Sequence, residues 1–153
     1  MVPMSPGDDF APKIFILGRT NTSRSLMLEA LLEEHQSRFG VESAGIDPAE
    51  TPDEKTLRVL EELDLEQVNL KELNSEPIST ALDDHIKLVV YVSQSLKEDA
   101  PIIATAGDKV TLDVPEVDES RADDPLEAHR RVLNYIESEA LEVILEEELE
   151  LTS

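Results

Sequence analysis

The residues best suited to chemistry lie in one short polar stretch, Gly18-Arg19-Thr20-Asn21-Thr22-Ser23-Arg24-Ser25. It offers two guanidinium groups, four hydroxyls and a carboxamide without a single carboxylate, in a chain with 35 acidic and 13 basic residues. Side chains of this kind suit an oxyanion. Where such a loop opens a helix, the unsatisfied backbone N–H groups and the positive end of the helix dipole favour a phosphate-sized anion, and an arginine clamps it bidentately. Arg24 is placed for that role. The loop is not a Walker A loop, because no Gly-Lys-Ser/Thr ending follows. The plainer reading is a polar turn whose Thr and Ser residues cap the helix, with Arg24 in a surface ion pair.

Other chemistries are restricted by what the chain lacks. With no cysteine there is no thiolate nucleophile, no disulfide and no cysteine metal site. His35, His85 and His129 have no HxxxH-type spacing, so neither a metal nor another cofactor is expected. A covalent route through the loop would depend on Ser23 or a water, weak nucleophiles that need a nearby base, and the loop contains no histidine.

The loop must be positioned by the elements around it. Ile14 to Leu17 form a continuous apolar run, as expected for a parallel strand buried on both faces. After the loop, Leu26, Met27, Ala30, Leu31 and Leu32 recur at helical intervals, predicting an amphipathic helix from Arg24 to about Arg38. Val41 to Ala44 read as a weak second strand and residues 53–64 as a helix through Leu57, Leu60 and Leu63. Ile86 to Val92 form a strong buried strand, and Ile102, Ile103 or Val110 to Leu112 supply a shorter one. Asp124-Pro125 marks the start of a last helix, running from about Leu126 toward Glu146. Its apolar side is Leu126, Val132, Leu133, Ile136, Ala140, Val143 and Ile144. Alternation of strands and helices predicts an α/β domain whose parallel sheet, with strand 14–17 central, is covered on both faces. Residues 1–12 carry three prolines and a glycine without periodicity and read as a flexible tail, so the domain is expected over 13–150.

The stretch IFILGRTNTSRSLMLEALL resembles the signature of the low-molecular-weight protein tyrosine phosphatases and arsenate reductases, a buried strand, Cys-x5-Arg-Ser and a Met-x-Glu-Ala helix. Asn21, Arg24, Ser25, Met27, Glu29 and Ala30 fall on matching positions. The resemblance continues through Ser43-Ala44-Gly45, the helix at 53–64, Ser75-Glu76-Pro77-Ile78, the strand at 86–92, Asp113-Val114-Pro115 and the helix from Leu126 to Ile136. It implies a three-layer αβα sandwich of Rossmann-like type. It also implies a loop, residues 19–25, in which Arg19, Thr20, Asn21, Thr22, Ser23, Arg24 and Ser25 surround an anion.

In that family a cysteine thiolate attacks phosphorus or arsenic, the arginine binds the equatorial oxygens and an aspartate before a proline protonates the leaving group. Here the nucleophile's position is Gly18, which has no side chain. The second loop cysteine of many relatives is Ser23, and the resolving pair of thioredoxin-coupled arsenate reductases falls on Ser93 and Ala100, so disulfide-exchange chemistry is excluded. The acid position falls on Glu116, or on Asp118 by a two-residue shift, with a solvated acidic turn as the alternative. Aromatic residues that would flank a phosphotyrosine ring are missing around 116–120. Thr20 stands where the family uses glycine, and a β-branched residue is costly at φ > 0 or close to a ligand. The resemblance therefore points to a degenerate, inactive member, a pseudoenzyme that binds phosphate, sulfate or a phosphorylated partner or serves as an interaction domain. The alternative is an active phosphoric monoester hydrolase whose mechanism differs, or whose cysteine at position 18 is replaced in this sequence.

Composition bounds the partners. A formal charge of −22 and 3% aromatic content weigh against nucleic acid and anionic lipid. The acidic residues are spread along the chain apart from Glu146-Glu147-Glu148, as in a solvated acidic surface, with a basic partner as the other reading. No segment approaches the ~20 apolar residues of a membrane span, and the first residues do not resemble a signal peptide, so a cytoplasmic protein is expected.

Overall fold

The computed structural model describes residues 13–35, 40–66, 68–70, 73, 86–99, 108–118, 120 and 123–152. Among the described residues, four strands, β1 (Lys13–Gly18), β2 (Gly40–Gly45), β3 (Ile86–Tyr91) and β4 (Asp108–Thr111), form one sheet in the order β2-β1-β3-β4. Every pairing is parallel. β1 is internal, with Ile14 to Leu17 buried, because a strand hydrogen-bonded on both edges and covered by helices has no polar surroundings to offer a side chain. The helices are α1 (Arg24–Glu34), α2 (Glu54–Glu61), α3 (Gln94–Asp99), α4 (Pro125–Tyr135) and α5 (Leu141–Thr152), the last two joined by a π-helical turn at Ile136–Ala140. They flank the sheet, giving the α/β architecture read from the sequence.

Two elements differ from expectation in instructive ways. α1 ends at Glu34, with His35 as its C-cap, and is not amphipathic: Leu28 is as buried as Leu26, Met27, Ala30 and Leu32. A helix packed on the sheet and also against α2, α4 and α5 is apolar nearly all round, so its sequence carries little one-sided periodicity. The last helix begins as expected, with Pro125 in its first turn and Asp124 accepting from the Leu126 N–H at 3.0 Å. The π turn inserts an extra residue and rotates the face that follows. Leu141 is therefore buried and Val143, expected inside, is 42% exposed.

The second helix is shorter than 53–64, with Asp53 as its N-cap and Asp64 at φ 55° in the turn beyond its end. The short strand forms at 108–111, while Ile102, Ile103, the segment Ser75 to Ile78, Ala100 and the tail 1–12 lie outside the described residues. Among the described residues, no helix is long and apolar enough to cross a membrane.

Candidate oxyanion loop

β1 ends at Gly18 and α1 begins at Arg24, so the loop between them lies at the carboxyl end of an internal parallel strand, where open α/β sheets place ligands. Its backbone is oriented from outside. The carbonyls of Gly18, Arg19, Thr20 and Thr22 accept from the N–H groups of Ile46, Asp47, Ala49 and Asp53 at 3.2, 2.8, 3.1 and 3.2 Å. In a trans peptide the N–H points opposite to the carbonyl. Turning those carbonyls toward 46–53 therefore turns the N–H groups of residues 19, 20, 21 and 23 the other way. The loop residues 18–25, with Val92, line a cavity of about 60 Å³.

Asn21 shapes the loop from within. It is 1% exposed and sits at φ 55°, a left-handed conformation that Asn adopts more readily than other residues with a side chain. Its Nδ2 donates to Ser25 Oγ at 2.7 Å and to Ser43 Oγ at 2.9 Å, and Ser43 Oγ donates in turn to Glu29 Oε1. Four positions from the loop, α1 and β2 thus meet in one polar network, buried at Asn21, Ser25 and Ser43. The positive φ falls on Asn21 and not on Thr20, so the β-branch at 20 brings no backbone strain; the Thr20 and Thr22 hydroxyls pair at 2.8 Å.

Gly45 admits this arrangement. A Cβ there would lie 2.9 Å from the Arg19 carbonyl oxygen, 3.0 Å from the Thr20 carbonyl carbon and 3.1 Å from the Asn21 nitrogen, all backbone atoms with little freedom to yield. At Gly18 the obstruction is a side chain: a Cβ would sit 2.7 Å from Ser25 Oγ and 3.0 Å from its Cβ. Ser25 Oγ, held by Asn21, thus crowds the place where a nucleophilic side chain would start.

Arg24 is mostly buried, its side chain 14% exposed. Its Nη1 donates to the Val114 carbonyl at 2.9 Å and its Nη2 lies 3.8 Å from Glu116 Oε1. Burial pushes the guanidinium's pKa below its ordinary value and nearby Arg19 adds to this, while Glu116 opposes it. An anion in the cavity would relieve that penalty. Ser23 is the N-cap of α1 without a side-chain cap bond; its Oγ instead accepts from Thr56 Oγ1 at 2.9 Å.

The two acid candidates separate. Glu116 reaches Arg24 with a side chain 85% exposed, whereas Asp118 Oδ1 accepts from the Ser120 N–H and hydroxyl, at 3.1 and 2.5 Å. Ser93, the described member of the other family cysteine pair, has its Oγ 3.1 Å from Ser95 Oγ. The sequence reading assigned no role to Ser43, Glu29 or Gly45, nor to the Val114 carbonyl. Their signal was available only as matched positions in the resemblance, because partners separated by 14 to 90 residues leave no local pattern.

Residues 13–150 match the family model described as low molecular weight phosphotyrosine protein phosphatase. An arsenate reductase from Archaeoglobus fulgidus superposes with a TM-score of 0.65 at 25% identity, covering 86% of this chain and 98% of that one. The YwlE arginine phosphatase from Geobacillus stearothermophilus gives a TM-score of 0.69 at 22% identity, with 91% and 96% covered. The Wzb of Vibrio vulnificus, in complex with benzylphosphonate, gives 0.71 at 22% identity, with 89% and 98% covered. The tyrosine phosphatase Wzb from Escherichia coli K30, in complex with sulphate, gives 0.66 at 22%, with 86% and 97% covered. No curated protein matches the sequence.

Proposed function

The chain belongs to the low-molecular-weight phosphotyrosine protein phosphatase family, and from that premise we propose that it is a non-catalytic member holding an oxyanion in the loop 18–25. The ligand is phosphate, sulfate or the phosphoryl group of a modified partner. The observation that carries this reading is the set of four loop carbonyls turned to the segment 46–53 beside a cavity lined by the loop and Arg24, combined with a glycine at the nucleophile's position. Structural neighbours that hold sulphate and benzylphosphonate support it.

Each residue then has a part. The N–H groups of residues 19, 20, 21 and 23 bind the anion's oxygens, and Arg24 supplies the charge and the fork geometry. Asn21 and Gly45 keep the loop in shape. Glu116 competes with the anion for Arg24. Nothing in the loop attacks: Gly18 has no side chain, and Ser23 Oγ faces the hydroxyl of Thr56, which is not a base. At about 60 Å³ the cavity accepts a small tetrahedral anion and leaves any larger group of a ligand outside.

The test is calorimetric titration with phosphate at fixed ionic strength on the parent and on Arg24→Ala, beside an assay with p-nitrophenyl phosphate. Binding by the parent should weaken by about ten- to a hundredfold in the variant, the ordinary worth of a charge-assisted contact of ~1.5–3 kcal/mol. Neither protein should turn over the ester. Turnover by the parent that disappears in Arg24→Ala prepared identically would identify an active phosphatase. No binding by the parent at tens of millimolar, or equal binding by both, would make the loop a structural remnant.

A further inference from the structure

His129, on α4, is 1% exposed, and both of its ring nitrogens face acceptors. Nδ1 lies 2.9 Å from the Pro125 carbonyl oxygen and Nε2 lies 3.4 Å from Asp53 Oδ2. A carbonyl oxygen only accepts, so Nδ1 carries a hydrogen and donates to it. A neutral ring would then present its Nε2 lone pair to a carboxylate. The imidazolium donates on both sides and fits the geometry without conflict.

Asp53 links this ring to the loop. Its Oδ1 caps α2 by accepting from the Lys55 N–H at 2.8 Å, and its own N–H donates to the Thr22 carbonyl at 3.2 Å. One helical turn on, Thr56, fully buried, donates to Ser23 Oγ. The first turn of α2 therefore grips the oxyanion loop at two successive residues, and His129 grips the cap of that turn.

We propose that Asp53 and His129 form a charged pair that positions the oxyanion loop through the first turn of α2, so that the loop's hold on a ligand weakens as His129 loses its proton. This rests on the oxyanion reading above for the ligand and on the contacts alone for the coupling. Asp53 supplies the carboxylate that faces the His129 ring, at 3.4 Å. On the α2 side Glu62 is bound to Arg130 at 2.8 and 2.7 Å, and Arg130 also approaches Asp124 at 3.9 Å. On α4 itself Arg131 pairs with Glu127 at 3.2 Å. The buried face of α1 consists of Ser25 and apolar residues, without a charge. Both residues are positioning residues, since neither lines the cavity.

The experiment follows the backbone amide signals of Thr22 and Ser23 and the ring signals of His129 by NMR in the ligand-free full chain. The pH runs from about 5 to about 8, the range in which histidine ordinarily changes charge. The parent is compared with His129→Gln and with Asp53→Asn, which keeps a residue fit to cap α2 and so preserves the fold. In the parent the two amides should shift with the same midpoint as the His129 ring. In both variants that shift should disappear, which separates His129 from His35 and His85. Sulfate, whose charge is constant over this range, is then titrated: its affinity for the parent should fall about fivefold from the acid to the alkaline end, the low end of ordinary coupling between sites. For the variants it should stay level. Amides that ignore the His129 titration would overturn the coupling whether or not sulfate binds. Sulfate binding that is level in the parent overturns the ligand effect and leaves the oxyanion reading standing. Absence of sulfate binding at every pH overturns the oxyanion reading, while the amide shifts still decide the coupling.

Discussion

Two loops meet over Arg24, and they are held in opposite ways. The loop 18–25 is fixed at four carbonyls by the segment 46–53 and at its centre by an Asn21 network that is closed to solvent. The loop 112–118 is anchored where it leaves the sheet, by Leu112 N–H to the Tyr91 carbonyl, Val114 N–H to the Val92 carbonyl, and Arg24 to the Val114 carbonyl. Beyond that point Glu116 stands in solvent and Asp118 turns back on Ser120. Altering Asn21 in the first loop strands buried polar partners, whereas altering Glu116 in the second changes a solvated side chain. The frame that would bind an anion and the residues that would run the chemistry are thus separable physical objects, and a chain can lose the second while keeping the first.

The most severe break of this contrast is Asn21→Ala. It leaves Ser25 and Ser43 without their donor and puts a Cβ residue without local compensation at φ 55°. Denaturant unfolding should register a loss of about 2–4 kcal/mol, and phosphate binding should vanish. Asn21→Gly, which restores the backbone freedom alone, should recover part of the stability and little of the binding. A loss under ~0.5 kcal/mol for Asn21→Ala would mean that the loop is held as loosely as the one opposite.

Glu116→Gln probes the exposed loop and should do the reverse. Removing a carboxylate 3.8 Å from Arg24 leaves stability unchanged and raises phosphate affinity by about two- to fivefold, the worth of a surface ion pair. Weaker phosphate binding in this variant, read in the same calorimeter, would assign Glu116 to the ligand's support and erase the contrast. The smallest effect belongs to Arg130→Ala, whose side chain pairs with Glu62. The hydrogen bond from Arg130 holds the Glu62 carboxyl below its usual pKa, with burial opposing and the charges of Arg130 and Arg58 assisting. A depressed carboxyl stabilises the fold above its unfolded pKa and ceases to do so as pH falls through the folded one. Thermal melts should therefore show a slightly lower Tm for Arg130→Ala at neutral pH, converging with the parent in acid. A gap that widened in acid would contradict that sign.

How much of this was legible in the sequence follows the same division. The run Ile14 to Leu17 and the run beginning at Ile86 announced buried parallel strands because doubly covered strands have no polar face to hide the signal. Asp124-Pro125 announced a helix start because cap and proline are local chemistry. Leu28 is missing from the apolar positions read for α1 and Val143 is misplaced, because periodicity presumes one face and an unbroken helical phase, and α1 has the first condition removed while the π turn removes the second. In the candidate site, Arg24 and Asn21 stood out by type and by resemblance. The Ser43–Glu29 network and the Asp53–His129 contact, 76 positions apart, exist only once the sheet has brought distant segments together.

The close approach at Gly45 has one further consequence. Gly45 ends β2 opposite Gly18, and the hydrogen bonds from Ile46, Asp47 and Ala49 continue that pairing past the strands and into the loop. The loop is cast against the neighbouring strand, as in a mould, and the lack of a side chain at Gly45 sets how closely the casting fits. A residue that does not line the cavity is therefore a point from which the cavity's shape can be changed.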